Sequence, residues 1–245
     1  MTVLGNAHVV TMDDAGSELA AGWIRIEDGF ITEVGSGEAP DATDDLGGAV
    51  VTPALINTHH HLFQTLTRAR AQEADLFTWL KELYPIWARL DAEAEYAAAR
   101  AGLTELALSG CGTVFDHHYV FPRGEDGLIE AELEAAEQLG VRLIASRGSM
   151  DLGESAGGLP PDGLVEELDA VLADTERLAR RYPDQLVAAP CSPFSVTRRL
   201  MEESAELARS LELPLHTHLA ETVEEEAYCQ ELYGCRPVEY LEQLG

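Results

Sequence analysis

From Val50 onward, short apolar runs alternate with long amphipathic segments, and few folds accept that order. The runs are Val51 to Asn57, Thr113 to Asp116, Val141 to Ser146, Leu186 to Ala189 and Leu215 to His218. The helical segments lie near residues 72–90, 92–109, 127–139, 162–182, 197–211 and 222–244, the last broken at Pro237. Runs this short, each followed by a helix, read as parallel strands in βα units, because a parallel pair needs a crossover and the helices cover the sheet. A (β/α)8 TIM barrel takes eight strands and about 250 residues. This stretch holds about five strands, and an open set of five leaves two unpaired edges. The residues therefore leave two readings: a smaller α/β fold, or the front part of a longer protein.

Residues 1 to about 52 have another texture. Ala7 to Met12, Trp23 to Ile26 and Phe30 to Val34 read as short strands, and Asp28-Gly29 between the last two is a strong hairpin signal. Residues 35–48, rich in Gly, Asp and Pro, read as a loop. The expected division is a small β module over 1–52 and an α/β domain over 53–245.

Composition removes several function classes. Of 245 residues, 46% are hydrophobic, which supports a packed core. No apolar run approaches the roughly 20 residues of a bilayer span. The stretch Met1 to His8 lacks the basic start and apolar centre of a secretory signal, so a cytoplasmic protein is expected. Cys111, Cys191, Cys229 and Cys235 include no C-x-x-C pair and read as reduced thiols. The net charge is −28, from 44 acidic and 16 basic residues, with Lys81 the single lysine. Such a surface repels nucleic acid and is compatible with a neutral small molecule. It suits a salty cytoplasm as well as it suits compositional drift, and it leaves homo-oligomerisation open.

Two histidine runs carry the chemistry. Asn57-Thr58-His59-His60-His61 and His216-Thr217-His218-Leu219-Ala220-Glu221 each follow an apolar run. A strand puts residues i and i+2 on one face, so His59 and His61 can reach one ion together, and His218 can close on it from another strand. Zinc in catalytic sites takes such nitrogens and keeps one position for water. Iron would accept the same donors. His60 should face away, and His216 reads as a core histidine one layer deeper. Glu221, three residues after a ligand, reads either as a proton carrier or as a plain helix-start acid. Phe115-Asp116-His117-His118-Tyr119 ends the second strand; His117 is open to hydrogen bonding with a heterocycle or to a structural network. Cys191 in Pro190-Cys191-Ser192-Pro193-Phe194 faces substrate or is an inert buried thiol. Phe194 stands where the P-C-x-x-C of cytidine deaminases needs its second Cys. No HExxH, P-loop or GxGxxG motif competes.

These motifs resemble the amidohydrolase superfamily in its aminohydrolase branch. Val51 to His61 is similar to the family's first strand with its H-x-H metal pair, and Leu215 to Glu221 to its fifth. His59 to Arg68, Leu83 to Trp87, Phe115 to Pro122, Gly157 to Asp162 and Pro190 to Val196 are similar to 8-oxoguanine deaminases, often labelled hydroxydechloroatrazine ethylaminohydrolases. The resemblance implies an incomplete (β/α)8 barrel holding strands 1–5, preceded by part of a small β-sandwich domain. It implies one zinc ion on His59, His61 and His218, Glu221 as general acid/base, and Gln64, His117 and Cys191 as candidates for reading the ring's edge. The implied reaction is hydrolytic deamination of an aminopurine-like ring, best matched by 8-oxoguanine to urate and ammonia, with guanine, isocytosine-like rings and hydroxytriazines as rivals. Ala54 and Asn57 stand where the family usually has Gly and often Asp. A strand-6 His and a strand-8 Asp of the family have no counterpart before Gly245. A second expectation of another class follows: residues 1–245 alone act as a non-catalytic fragment.

Overall fold

The computed structural model describes residues 1–245 and divides into two compact units, Met1–Leu55 and Ile56–Gly245. In the first unit, β1 (Thr2–Val10), β2 (Glu18–Glu27) and β3 (Phe30–Ser36) form an antiparallel meander, while β4 (Asp44–Asp45) and β5 (Val50–Val51) pair in parallel with β1. Glu27 pairs with Phe30 across Asp28 and Gly29, whose φ angles are 50° and 83°. Positive φ at both central residues matches the strand twist, which is why Asp-Gly marks this hairpin. One side of the sheet buries Ala7, Val9 and Ile24. The unit is thus one sheet; the two packed sheets expected of a sandwich are not formed within these residues.

The second unit follows the βα order. The sheet runs β6 (Leu55–His60), β7 (Cys111–Asp116), β8 (Arg142–Ser149), β9 (Leu186–Pro190), with β7, β8 and β9 parallel. Between them lie α1 (Leu76–Trp87), α2 (Ala92–Leu108), α3 (Leu128–Leu139) and α4 (Leu168–Arg181); α5 (Arg198–Ser210), α6 (Val223–Tyr233) and α7 (Pro237–Leu244) follow. Helix starts sit on side-chain caps: Asp75, Asp91, Thr197 and Thr222 each accept the N–H of the third residue on. These caps explain why the first helix begins at Leu76 and not near residue 72. The 162–182 segment is a 3-10 turn over Asp162–Leu164 followed by α4. The last segment breaks at Gly234, whose φ of 70° ends α6 before Pro237 opens α7.

Two strand expectations need correction. Pro53 stands between β5 and β6, so the run Val51 to Asn57 splits, and β6 carries on through His60. The fifth run is extended chain holding a single bridge, Leu215 to Ala188, with His216 N–H donating to Ala188 O at 2.9 Å. Leu215 to His218 makes only separate backbone bonds to Ala188 and Cys191, enough for one bridge and not for a ladder. The sheet is open, and β6 is its edge, with Leu55 and Ile56 61% and 67% exposed. The core between sheet and helices is apolar and continuous, built on Leu62, Phe63, Leu83, Tyr84, Trp87, Leu103, Leu143 and Leu178. It pins the chain on either side of the histidine runs. No helix is long and apolar enough to cross a membrane.

Candidate metal centre

His59 ends β6 with His60, and His61 follows it by two, so the alternation of extended backbone turns both rings to one side. His218 arrives from beyond the Leu215 bridge, held by its own N–H donating to Cys191 O at 2.9 Å. The Nε2 atoms of His59 and His61 are 3.2 Å apart, and those of His61 and His218 are also 3.2 Å apart. Donors around a tetrahedral cation with bonds of about 2.0–2.1 Å are about 3.3–3.4 Å from one another. The rings therefore have the spacing of ligands on one ion.

The opposite nitrogens decide which lone pairs point inward. His61 Nδ1 donates to His117 O at 2.6 Å, and His218 Nδ1 donates to Cys191 O at 2.9 Å. A carbonyl only accepts, so both protons sit on Nδ1 and both Nε2 atoms present bare lone pairs to each other. Two lone pairs at 3.2 Å repel unless something positive lies between them. Protonating a ring is opposed: burial holds His59 and His61 below the ordinary imidazole value, and holds His218 at about 4. A divalent cation resolves the contact, and the donor set fits it.

The three histidines line a cavity of about 270 Å³ whose walls are Trp79, Leu80, Tyr84, Tyr119 and Phe194. Gln64, Cys191 and Glu221 line it too. Gln64 Nε2 donates to Tyr119 Oη at 3.2 Å, which fixes the amide's orientation. Burial pushes the Cys191 thiol up to about 12, so it stays protonated and is no nucleophile. Partial burial, then the charge of Glu225, raise the Glu221 carboxyl above its usual range. A larger cavity of about 510 Å³ beside Arg147 and Glu166 contains no such ligand group.

His117 stands elsewhere than the cavity wall. It is fully buried, stacks on His218 at 4.2 Å between ring centroids, and points Nε2 at Ala189 O at 3.3 Å. Its side chain supports His218 from below, and its carbonyl anchors His61. His59, His117 and His216 form another three-nitrogen group, but of these only His59 reaches the cavity, so a catalytic ion there would lack an open position. His216 is half-buried against Phe115, at 4.7 Å between centroids. His60 turns away, its Nδ1 3.9 Å from Asp116 Oδ1.

Two residues have positioning roles that the motif reading did not assign. Glu225 is fully buried and its carboxylate accepts from Ala220 N–H at 2.9 Å and Glu221 N–H at 2.8 Å. It clamps a turn in which Ala220 adopts a φ of 56°. The sequence signal was the Thr222-x-x-Glu225 capping pattern, although the carboxylate reaches past the cap to the two residues before it. Asp116 Oδ1 accepts from Leu62 N–H at 2.6 Å and so steadies the residue after His61. Gly148 on β8 lets the chain pass His118: a Cβ there would lie 2.1 Å from His118 O.

An open β/α sheet with a cluster of ligand-spaced histidines at its strand ends defines a candidate metal centre on an α/β fold. Residues 50–245 match the family model described as the amidohydrolase family. The chain belongs to that family. It is 48% identical over 240 residues to an 8-oxoguanine deaminase of Pseudomonas aeruginosa, covering 92% of this chain and 54% of that protein. It is 36% identical over 242 residues to a hydroxydechloroatrazine ethylaminohydrolase of a Pseudomonas species, covering 89% and 50%. Among solved structures, an atrazine chlorohydrolase of Arthrobacter aurescens complexed with zinc superposes with a TM-score of 0.91 at 32% identity, covering 100% of this chain and 58% of that one. The chain spans about half the length of the curated relatives it matches.

Proposed function

We propose that the complete protein is a metal-dependent aminohydrolase that replaces the exocyclic amine of a purine-like ring by oxygen, converting 8-oxoguanine and water to urate and ammonia. The observation that carries this reading is the convergence of three Nε2 atoms, at 3.2 Å steps, at an aromatic-walled cavity with Glu221 on its wall. The similarity to an 8-oxoguanine deaminase supports the substrate. Hydroxytriazine is the rival, supported by the 36% identical ethylaminohydrolase.

His59, His61 and His218 would hold the cation, zinc by preference of donor set, with ferrous iron accepting the same nitrogens. A bound cation of this kind lowers the pKa of a coordinated water to about 7 and so supplies the nucleophile. The remaining work belongs to the chain. Trp79, Tyr84, Tyr119 and Phe194 give a planar ring apolar walls and exclude bulk water. The Gln64 amide and the Cys191 thiol offer donors to the ring's edge. Glu221, with its raised carboxyl, would carry one proton of the attacking water to the ring nitrogen, then the second, from the hydroxyl left on that carbon as its C=O forms, to the departing amine. In the complete protein the sheet of β6 to β9 plus the Leu215 bridge would be the first five strands of a (β/α)8 barrel, and residues 1–52 part of a sandwich. A cytoplasmic site of action belongs to the same proposal.

The test is ammonia release by the complete protein from 8-oxoguanine, guanine and a hydroxytriazine in parallel. Urate formation that vanishes with Glu221→Gln and with chelation supports the reading. Turnover of the triazine alone transfers the assignment to that substrate, and turnover of none removes it.

A further inference from the structure

On the helix side of β7, away from the histidine centre, lies a second group of ligand atoms. Alternation past the strand end turns Asp116 and His118 away from His117 and toward α2 and α3. There His118 meets Glu95 of α2 and Glu132 of α3, and one ligand atom from each lies within 4.8 Å of the others. All four side chains are fully buried, with 0% exposure. As carboxylates, both oxygens of Glu95, both of Glu132 and Asp116 Oδ2 meet no donor, and His118 Nδ1 has no hydrogen-bond partner. Buried polar atoms are seldom left so, and six in one place mark a missing component.

His118 shows what is missing. Its Nε2 is 2.8 Å from Val120 O, so the proton sits on Nε2 and Nδ1 is a bare lone pair. This is the carbonyl-anchored arrangement that His61 and His218 have in the catalytic centre, with the two ring nitrogens exchanged. Phe63 and Phe121 hold the ring edge-on at centroid distances of 5.2 and 4.9 Å, so it cannot turn away. The bare Nδ1 is aimed at Glu95 Oε2, 3.7 Å off. That is too long for a hydrogen bond, and it lies close to the about 3.3–3.6 Å that separates two donors on one tetrahedral cation.

We propose that Glu95, His118 and Glu132 form a second, structural site for a divalent transition-metal cation, separate from the catalytic centre. One imidazole and two carboxylates suit zinc, ferrous iron or manganese. The cation's charge balances the two glutamates in a place where bare carboxylates are too costly to bury. Asp116 links this site to the catalytic one, because its other oxygen holds Leu62 N–H beside His61. With every ligand sealed from solvent, the ion exchanges only when α2 and α3 part from the sheet. It therefore resists chelators that strip the catalytic ion.

The alternative filling is protons: the Asp116 and Glu132 carboxyls approach each other closely enough to share one. The experiment separates the two. The complete protein carrying His59→Ala and His61→Ala loses the catalytic ligands and leaves this cluster untouched. Expressed in medium with manganese, iron or zinc and dialysed against EDTA, it is expected to retain about one metal per chain by mass spectrometry. X-ray absorption of that metal should show one imidazole and otherwise oxygen. Glu132→Gln in the same background should cut the metal to under about a tenth. A folded His59→Ala/His61→Ala protein with under about a tenth of an equivalent of any transition metal overturns the proposal. A retained metal with sulfur or several imidazoles does so too. The X-ray absorption arm stands even where Glu132→Gln fails to fold.

Discussion

Glu225 decides where the proposed proton carrier stands, and its removal can be worked through. Its two carboxylate oxygens accept from Ala220 and Glu221 N–H at 2.9 and 2.8 Å. Glu225→Gln keeps the shape but turns an NH₂ group toward one of two N–H donors. One charge-assisted bond, worth about 1.5–3 kcal/mol, is lost, and a donor is left facing a donor. The turn also contains Ala220 at a φ of 56°, a conformation costing a residue with a Cβ about 1–2 kcal/mol, so it reopens readily once released. If about 2 kcal/mol of that loss reaches the transition state, kcat falls about 30-fold. The pH profile distinguishes this from general damage. Glu225's charge helps to raise the Glu221 carboxyl, so its removal lets Glu221 ionise at lower pH and moves the acidic limb of kcat downward. The assay is steady-state ammonia release by the complete protein from pH 4 to 9, with urea unfolding alongside. A kcat within twofold of the parent protein, or an unmoved acidic limb, refutes the clamp.

Other outcomes follow from the same geometry. His59→Ala, His61→Ala or His218→Ala should each remove the chelator-sensitive metal equivalent and abolish turnover, checked by metal analysis before and after EDTA. In metal-free protein His218 titrates at about 4 in the folded state against about 6.5 when unfolded, so the unfolded chain binds the proton first and stability falls as pH drops through that window. His218's share of the loss between pH 7 and 5 should be about 2 kcal/mol, read as the difference in urea-unfolding stability between the parent protein and His218→Gln, while His59, His61, His117 and His118, lowered by burial in the same sense, keep a pH-dependent loss in both. Gly148→Ala forces a Cβ to within 2.1 Å of His118 O and should destabilise by more than about 2 kcal/mol. Tyr119→Phe frees the Gln64 amide and should raise KM several-fold with kcat nearly unchanged.

Residues close in sequence explain what could be read without coordinates. The pairing of His59 with His61 follows from the two-residue period of extended chain, and the Asp28-Gly29 turn from the φ values its hairpin demands. Helix starts after Asp91 and Thr197 follow from those side chains accepting the N–H three residues on. The resemblance to amidohydrolases rests on such local motifs. All of these are determined within a few residues, where backbone geometry leaves little choice.

Only the tertiary structure decided the rest. His117 and His118 are adjacent, yet one stacks beneath His218 and the other meets Glu95 and Glu132 across the strand. Whether Leu215 to His218 becomes a strand depended on how it met β9, and it met it in a single bridge. Glu95 and Glu132 look like ordinary surface acids of amphipathic helices until α2 and α3 pack on β7 and seal them from water. Burial and long-range contact are properties of the packed sheet and helices, and no period within the chain encodes which distant partner a side chain meets.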